Sequence, residues 1–298
     1  MMQRPFRFGV VAARAESGAA WVSLARRIEE SGYSTLLMPD RLGGVLSPVP
    51  ALAAAAAVTR SLRIGSFVLV GGLRSAAQVA HDAATLDFLS GGRFELGLGA
   101  GVSEEDFRRA GVPFESPRVR IARLGETIAA IKAIWSDQAE GGAQRYPAPV
   151  QKPRPPILIG ASGKRLLALA AQEADSVSIG SIGAGKEALS EHALAERVEW
   201  LRQQAGERLP ELELGVNLAA VVSDAPPSQQ LRGRLRAFFA VEVEELVSIR
   251  SPFVVAGSAG EMCAQLLERR ERFGISSITI ADDLMEAFAP VVERLAGR

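Results

Sequence analysis

The sequence predicts a closed (β/α)8 barrel, and three observations predict it. Eight short apolar runs alternate with longer segments of helical period, the pattern of repeated βα units on a parallel sheet. The alternation runs through the whole chain without a long break, which favours closure over a doubly wound sheet. The 298 residues suit a single barrel domain, 1–298, and carry no repeat motif of the kind that builds a solenoid.

The first strand is placed at Phe6–Ala12 and its helix at Ala20–Ser31, where Trp21, Leu24, Ala25 and Ile28 share one face and Gly32 stops the helix. Thr35–Met38 reads as strand two, followed after Pro48 and Pro50 by an alanine-rich helix over Ala51–Thr59. Leu62–Val70 is strand three, Ala76–Leu89 its helix and Phe94–Leu98 strand four. A short extra helix at Ser103–Ala110 precedes a longer one from Ser116-Pro117 to Trp135. Gly141–Pro156, with five prolines, is left without regular structure. Ile157–Ile159 and Ser176–Ile179 are strands five and six, with a helix at Lys164–Glu173 between them. Strand seven is drawn at Leu212–Val222, flanked by helices at Lys186–Gln204 and Gln229–Val247, and strand eight at Ser277–Ile280, flanked by helices at Glu261–Phe273 and Leu284–Leu295.

The 34 basic residues equal the 34 acidic ones, so no electrostatic footprint points to nucleic acid or an anionic membrane. The longest apolar stretch, Ala51–Val58, is far shorter than the ~20 residues that span a bilayer. Met1-Met2-Gln3-Arg4-Pro5-Phe6 has no signal-peptide core, and the expectation is a reduced, cytoplasmic protein. Cys263, the only cysteine, excludes an internal disulfide framework, and it reads as a core residue beside Met262, Leu266 and Leu267. His81 and His192 match no metal spacing and read as helix residues, so no metal site is expected. Glu268–Arg272, with alternating signs, reads as an exposed helix face.

Barrel chemistry sits at the C-terminal ends of the strands. After strand two, Asp40 can accept a hydrogen bond from a ligand N–H or hydroxyl with Arg41 as a nearby cation, or the charges can tie down the loop. Gly71-Gly72 after strand three reads as a turn. Strand four ends Gly97-Leu98-Gly99-Ala100-Gly101-Val102, which lacks the last small residue of a dinucleotide fingerprint and better suits small residues beside a bound ring. Strand five runs into Gly160-Ala161-Ser162-Gly163-Lys164, where free N–H groups, the helix dipole, a hydroxyl and an ammonium offer the best anion site, most naturally for a phosphate. A second glycine-rich end, Ile179-Gly180-Ser181-Ile182-Gly183-Ala184-Gly185, lies next to it in a barrel. No side chain stands out as nucleophile, metal ligand or acid–base pair, which fits a redox cofactor that performs the chemistry itself.

Taken in order, Trp21–Tyr33, Leu37-Met38-Pro39-Asp40, Leu62–Ser66, Ala84–Gly101, Pro156–Gly160 and Ala174-Asp175 resemble the luciferase-like monooxygenase superfamily, especially its branch dependent on the deazaflavin coenzyme F420. The resemblance is weakest across Gly183–Ser251. It implies a bacterial luciferase-like barrel with an insertion, holding F420 or FMN at its top face. It also implies a non-proline cis peptide at Phe67–Val68 behind the ring, with Asp40 near the ring's polar edge. The cofactor phosphate falls to Gly160, Ala161, Ser162 and Gly163, and Ile179 and Gly180 border the same tail.

Departures from the family narrow the function. In F420-dependent sugar-phosphate dehydrogenases the aspartate after strand two is followed by a catalytic histidine, where this chain has Arg41, and their catalytic glutamate corresponds to Val102. Bacterial luciferases place a phosphate-binding arginine where this chain has Ala100, which tilts the cofactor toward F420. The expected function is hydride exchange between F420 and a small organic substrate, with Arg41 orienting an anionic or carbonyl group. The alternatives are an FMN-dependent monooxygenase fed by a partner reductase and a non-catalytic flavin- or deazaflavin-binding protein. Family habit adds a homodimer through barrel-side helices.

Overall fold

The computed structural model describes residues 4–139, 147–181, 183–223 and 226–298. The first half runs β1 (Arg7–Val11), α1 (Gly18–Glu30), β2 (Thr35–Met38), α2 (Pro48–Val58), β3 (Arg63–Ser66), β4 (Leu69–Val70), α3 (Ala76–Ser90), β5 (Phe94–Gly99), α4 (Glu104–Arg109) and α5 (Pro117–Ala139). The second runs β6 (Ile157–Ala161), α6 (Lys164–Glu173), β7 (Ser176–Ile179), α7 (Glu191–Ala205), β8 (Glu213–Asn217) and β9 (Ala220–Val222). It ends with α8 (Gln229–Phe239), α9 (Val243–Ser248), β10 (Val254–Ala256), α10 (Ala259–Phe273), β11 (Ile275–Ala281) and α11 (Met285–Leu295).

The main sheet is ordered β3-β2-β1-β11-β8-β7-β6-β5-β4, and a further β3–β5 pairing closes it. Its nine strands make eight staves, because β3 and β4 are successive halves of one stave, both paired with β5. The ladders are parallel, so the barrel is the (β/α)8 type. Between β3 and β4 the Phe67–Val68 peptide is cis.

Local signals explain where the helices begin and end. Ser17 Oγ accepts the Ala20 N–H at 3.1 Å to start α1, and Trp21, Ala25 and Ile28 form its buried face. Ser75 and Gln78 form a capping box at α3, which ends at Gly91 with φ +66°, a left-handed value that glycine adopts freely. The staves bury both faces, as covered parallel strands do, so Ile64, Leu96, Ile159 and Ile280 are buried. Each such aliphatic side chain contributes about 1.5–3 kcal/mol on burial. At the N-terminal end of the barrel Arg7 joins Glu213 at 2.9 Å and also pairs with Glu95, which Arg63 binds from the other side. Burial pushes the Glu213 carboxyl above its ordinary range despite Arg7.

Four expectations change. Strand three, drawn as Leu62–Val70, is interrupted at Phe67–Val68. Leu212–Val222 is two strands, because Ala219 turns away to donate its N–H to Phe253 O at 2.7 Å and β9 then pairs with β10 outside the barrel. Gln229–Val247 is two helices, broken where Ala240 takes φ +51°. Arg269 is buried rather than part of an exposed face, its guanidinium donating to Val254 O at 2.5 Å. Cys263 is buried as expected, while His81 and His192 are exposed. The 141–146 part of the predicted loop lies outside the described residues, as do Met1–Gln3 and Ile182. No helix among the described residues is long and apolar enough to cross a membrane.

Candidate functional site

The C-terminal ends of the staves open into two cavities that meet at one ridge. One, of about 240 Å³, is bounded by Asp40, Arg41, Ala100 and Phe107. The other, of about 300 Å³, is bounded by Ala161, Ile179, Gly180 and Phe253. Phe67, Val68, Gly160 and Ser162 line both, so the cavities are lobes of one cleft. The fold therefore gathers ten of the twelve residues singled out from the sequence; Gly163 and Lys164 follow the lining residue Ser162 in the chain but do not line either cavity.

The shelf between the lobes depends on a row of glycines. Along a strand, residues two apart point the same way. A Cβ at Gly97 would lie 1.9 Å from Ser66 O and one at Gly99 2.5 Å from Val68 Cγ2; past the end of β5, where Gly101 takes φ +77°, a Cβ would lie 2.7 Å from Val70 Cγ1. The bare face of β5 thus admits the Phe67–Val68 segment, and the small residues read as bordering a ring first accommodate the neighbouring backbone.

The two charged residues after β2 are both paired. Asp40 is 4% exposed. Arg74 binds its two carboxylate oxygens, with Nη2 to Oδ1 at 2.9 Å, and the Val70 N–H donates to Oδ2 at 3.1 Å. Arg41 Nε lies 2.6 Å from Asp106 Oδ2. Burial works to raise the Asp106 carboxyl, but the Ser103 hydroxyl, the Leu42 N–H and Arg41 together hold it below the usual carboxylate range. Val102, next to these groups, is 89% exposed.

Gly163 caps α6 without a side-chain hydrogen bond, and a Cβ there would meet nothing within 4 Å. The N–H groups of the first turn of α6 therefore face open space beside the half-buried Ser162, and they carry the positive end of the helix dipole. The Lys164 ammonium instead sits 4.4 Å from the Trp200 ring centroid on α7. Chemically, the cleft offers an apolar shelf for a planar group and a backbone anion site at its edge. Among the described residues no cluster of three or more histidine, cysteine or carboxylate side chains could hold a metal ion.

Sequence reasoning missed Arg74, Asp106, Asn217, Phe239 and Phe253. Asp106 had a local signal, since Ser103-x-x-Asp106 is a helix-start pattern and Ser103 Oγ does accept the Asp106 N–H. Arg74 had none, as its partner is 34 residues away.

The sequence profile of luciferase-like monooxygenases matches residues 5–289. An uncharacterised protein of Mycobacterium tuberculosis is 29% identical over 188 residues, 52% of this chain and 65% of that protein, so the chain spans just under two thirds of that relative's length. The F420-dependent glucose-6-phosphate dehydrogenase of Kineococcus radiotolerans is 29% identical over 267 residues, covering 83% of this chain and 77% of that enzyme. Among solved structures, the coenzyme F420-dependent tetrahydromethanopterin reductase of Methanopyrus kandleri superposes with a TM-score of 0.72 at 17% identity, over 98% of this chain and 99% of that one. With the profile spanning nearly the whole chain and the barrel closed as described, this protein belongs to the luciferase-like monooxygenase family, a family of oxidoreductases.

Proposed function

We propose that this chain exchanges hydride between coenzyme F420 and a small organic substrate. The observation that carries the reading is the joint cleft itself: an apolar shelf at Phe67–Val68, an open helix start at Gly163 and, among the described residues, no unpaired acid–base side chain in its lining. A planar ring with a phosphorylated tail suits that donor set. Phe67 and Val68 would back the ring, with Gly160 and Ala100 beside it. Ser162 and the first-turn N–H groups of α6 would hold the phosphate, and Ile179 and Gly180 would border the tail. When bound, F420 supplies a two-electron hydride donor or acceptor. The protein's part is to hold the reacting partners close and to keep water out.

Sugar-phosphate oxidation is disfavoured. The position after Asp40 holds Arg41, locked to Asp106, and the position after β5 holds the exposed Val102, so neither residue can move a proton.

Fluorescence titration of the purified protein with F420, and separately with FMN, tests the proposal. Preferential F420 binding is the expected result. Tight FMN binding with weak F420 binding, together with oxygen consumption on substrate addition, would replace it with an FMN-dependent monooxygenase. Binding of neither would end the cofactor assignment.

A further inference from the structure

We propose that a row of hydroxyls inside the barrel carries protons between Glu213 at its N-terminal end and the floor of the cleft, and that Glu213 is the proton reservoir for the hydride exchange. The inference deepens the oxidoreductase reading above and rests on it.

The path is a series of cavities. One of about 540 Å³ lies at the N-terminal end of the barrel, beside the exposed Arg4 and Glu211. Ser176 and Glu213 line both this space and an interior one of about 10 Å³, room for about one water. Phe67 and Ser178 line both the interior space and the 300 Å³ lobe of the cleft.

The strand register builds the row. Ser176 stands beside Glu213, Ser178 beside Gly215, Gly215 beside Ser277, and Asn217 beside Thr279. These positions are two apart on β7, β8 and β11, so their side chains share the interior face. Branched aliphatic side chains normally fill a barrel interior, as Leu37 does over Gly9 and Gly65. In the β7–β8–β11 quarter hydroxyls take that place, and Gly215 makes room for them, since a Cβ there would lie 2.7 Å from Ser277 O. Ser176, Ser178 and Ser277 are half-buried, and among the described residues their hydroxyls have no hydrogen-bond partner. Such hydroxyls, each donor and acceptor, can hold a chain of water. At the far end Thr279 Oγ1 donates to Asn217 Oδ1 at 3.1 Å, and Asn217 lines the lobe.

The reaction needs such a path. Reducing a carbonyl or an alkene takes a hydride and a proton: the hydride forms the new C–H bond with both electrons, the π bond breaks toward the other atom, and that atom takes the proton. Oxidation releases the same proton. The hydride is the cofactor's part, and the proton is left to a protein whose cleft lining, among the described residues, holds no unpaired acid–base side chain. Each hydroxyl passes on its own proton as it accepts another, so one proton leaves Glu213 and water in the N-terminal cavity replaces it. Glu213 is 8% exposed, and Arg7 binds only its Oε2, at 2.9 Å. Burial raises its carboxyl, Arg7 and Arg4 lower it and Glu95 raises it, with the balance above the ordinary range. Asp175 and Glu211, which border the same cavity, are bound by Arg154 and Arg208.

Hydrogen exchange on the full chain tests the proposal without turnover. Asn217 is the only asparagine, so 15N-asparagine labelling reports its carboxamide protons alone. With F420 in the cleft, they should still exchange with water through the row. Ser178→Val should slow that exchange by at least about tenfold, the effect of one missing hydrogen-bond link on the barrier. Ser277→Ala, which adds no bulk, should slow it in the same direction. In the wild type the rate should rise as pH falls through the Glu213 titration, followed by 13C-glutamate NMR, and Glu213→Gln should remove that rise; a carboxyl that only paired with Arg7 would leave it in place. Exchange within twofold of wild type in both serine variants, or an unchanged pH profile in Glu213→Gln, would overturn the proposal. Ordered waters between Glu213 and Ser178 in a crystal structure of the empty protein separate the two readings. Their absence overturns the path whatever F420 does, while failure of F420 to bind with the waters in place refutes the cofactor assignment alone.

Discussion

Replacing Arg74 by alanine would strand the Asp40 carboxylate inside the mouth of the barrel. The Asp40 side chain is only 1% exposed, and three of its hydrogen bonds are defined: two from the Arg74 guanidinium and one from the Val70 N–H. The substitution leaves a buried carboxylate with one backbone donor. Removing one partner of a buried pair costs about 3–5 kcal/mol. Arg74 keeps 22% of its side chain exposed, so water can enter the space it vacates, and the lower end, about 3 kcal/mol, is expected. The double variant Asp40→Asn/Arg74→Ala removes the charge with its partner and should recover about half of that loss. Urea unfolding followed by circular dichroism measures all three proteins. F420 titration of the double variant then separates structure from recognition. If Asp40 only anchors the β4 segment, affinity returns with stability; if it also receives a ring N–H, affinity stays about tenfold low, as for a lost hydrogen bond to a charged group. A cost below about 1 kcal/mol for Arg74→Ala, the range of exposed pairs, would refute the claim that this pair is a buried clamp.

Three further outcomes follow from the same geometry. Gly97→Ala should abolish soluble expression, because its Cβ meets the Ser66 backbone at 1.9 Å, whereas Gly99→Ala meets only Val68 Cγ2 at 2.5 Å. The Gly99 variant should fold at a cost of about 1–3 kcal/mol and bind F420 more weakly; equal damage from the two would discredit the shelf. Glu29 is subject to burial, which raises its carboxyl, but N–H donors from Ser61, Leu62 and Arg60 and the Ser61 hydroxyl lower it from 4.5 to about 2. A depressed carboxyl stabilises fully above its unfolded value, so this contribution should be lost as pH falls from 4.5 toward 2, and Glu29→Gln should flatten that acid limb in unfolding measured across pH. Burial pushes the Cys263 thiol up and leaves it 8% exposed, so Ellman's reagent should react with denatured protein and not with native protein on the same timescale.

The barrel was legible because its strands are buried on both faces and so appear as mostly apolar runs such as Leu62–Val70, interrupted by Arg63 and Ser66, and Phe94–Leu98, interrupted by Glu95. The same rule misled at Leu212–Val222. Leu218, Ala219 and Ala220 continue the run with no turn residue, although the chain changes partner there, with the Leu218 N–H on Thr279 O and the Ala219 N–H on Phe253 O. β10 is only three residues long, too short to show a period. The break between α8 and α9 falls at Ala240 in a left-handed conformation where glycine would have announced it. In the site, strand ends were legible because topology puts them at one face. The partners of Asp40 and Arg41 were not, since ion pairing across 34 and 65 positions leaves no local pattern.

Under the proposed reading, the charge layout of the barrel also orients the cofactor. At the N-terminal end, Arg7, Arg63, Glu95 and Glu213 satisfy one another, and at the mouth Asp40 and Arg41 are neutralised by Arg74 and Asp106. Among the described residues the first turn of α6 has no such partner: Gly163 supplies no cap, and Lys164 is turned onto Trp200. An elongated ligand with an anionic end is therefore drawn to α6 by that end, leaving its planar part to the Phe67–Val68 shelf. Partly buried helix starts contribute up to about 2 kcal/mol toward an anion. F420 should accordingly bind about 5- to 30-fold more tightly than its phosphate-free deazaflavin alcohol, and the difference should shrink as salt rises. Fluorescence titrations of both compounds at low and high ionic strength measure it. Equal affinities at low salt would mean that the anion is held elsewhere, and the orientation assigned here would reverse.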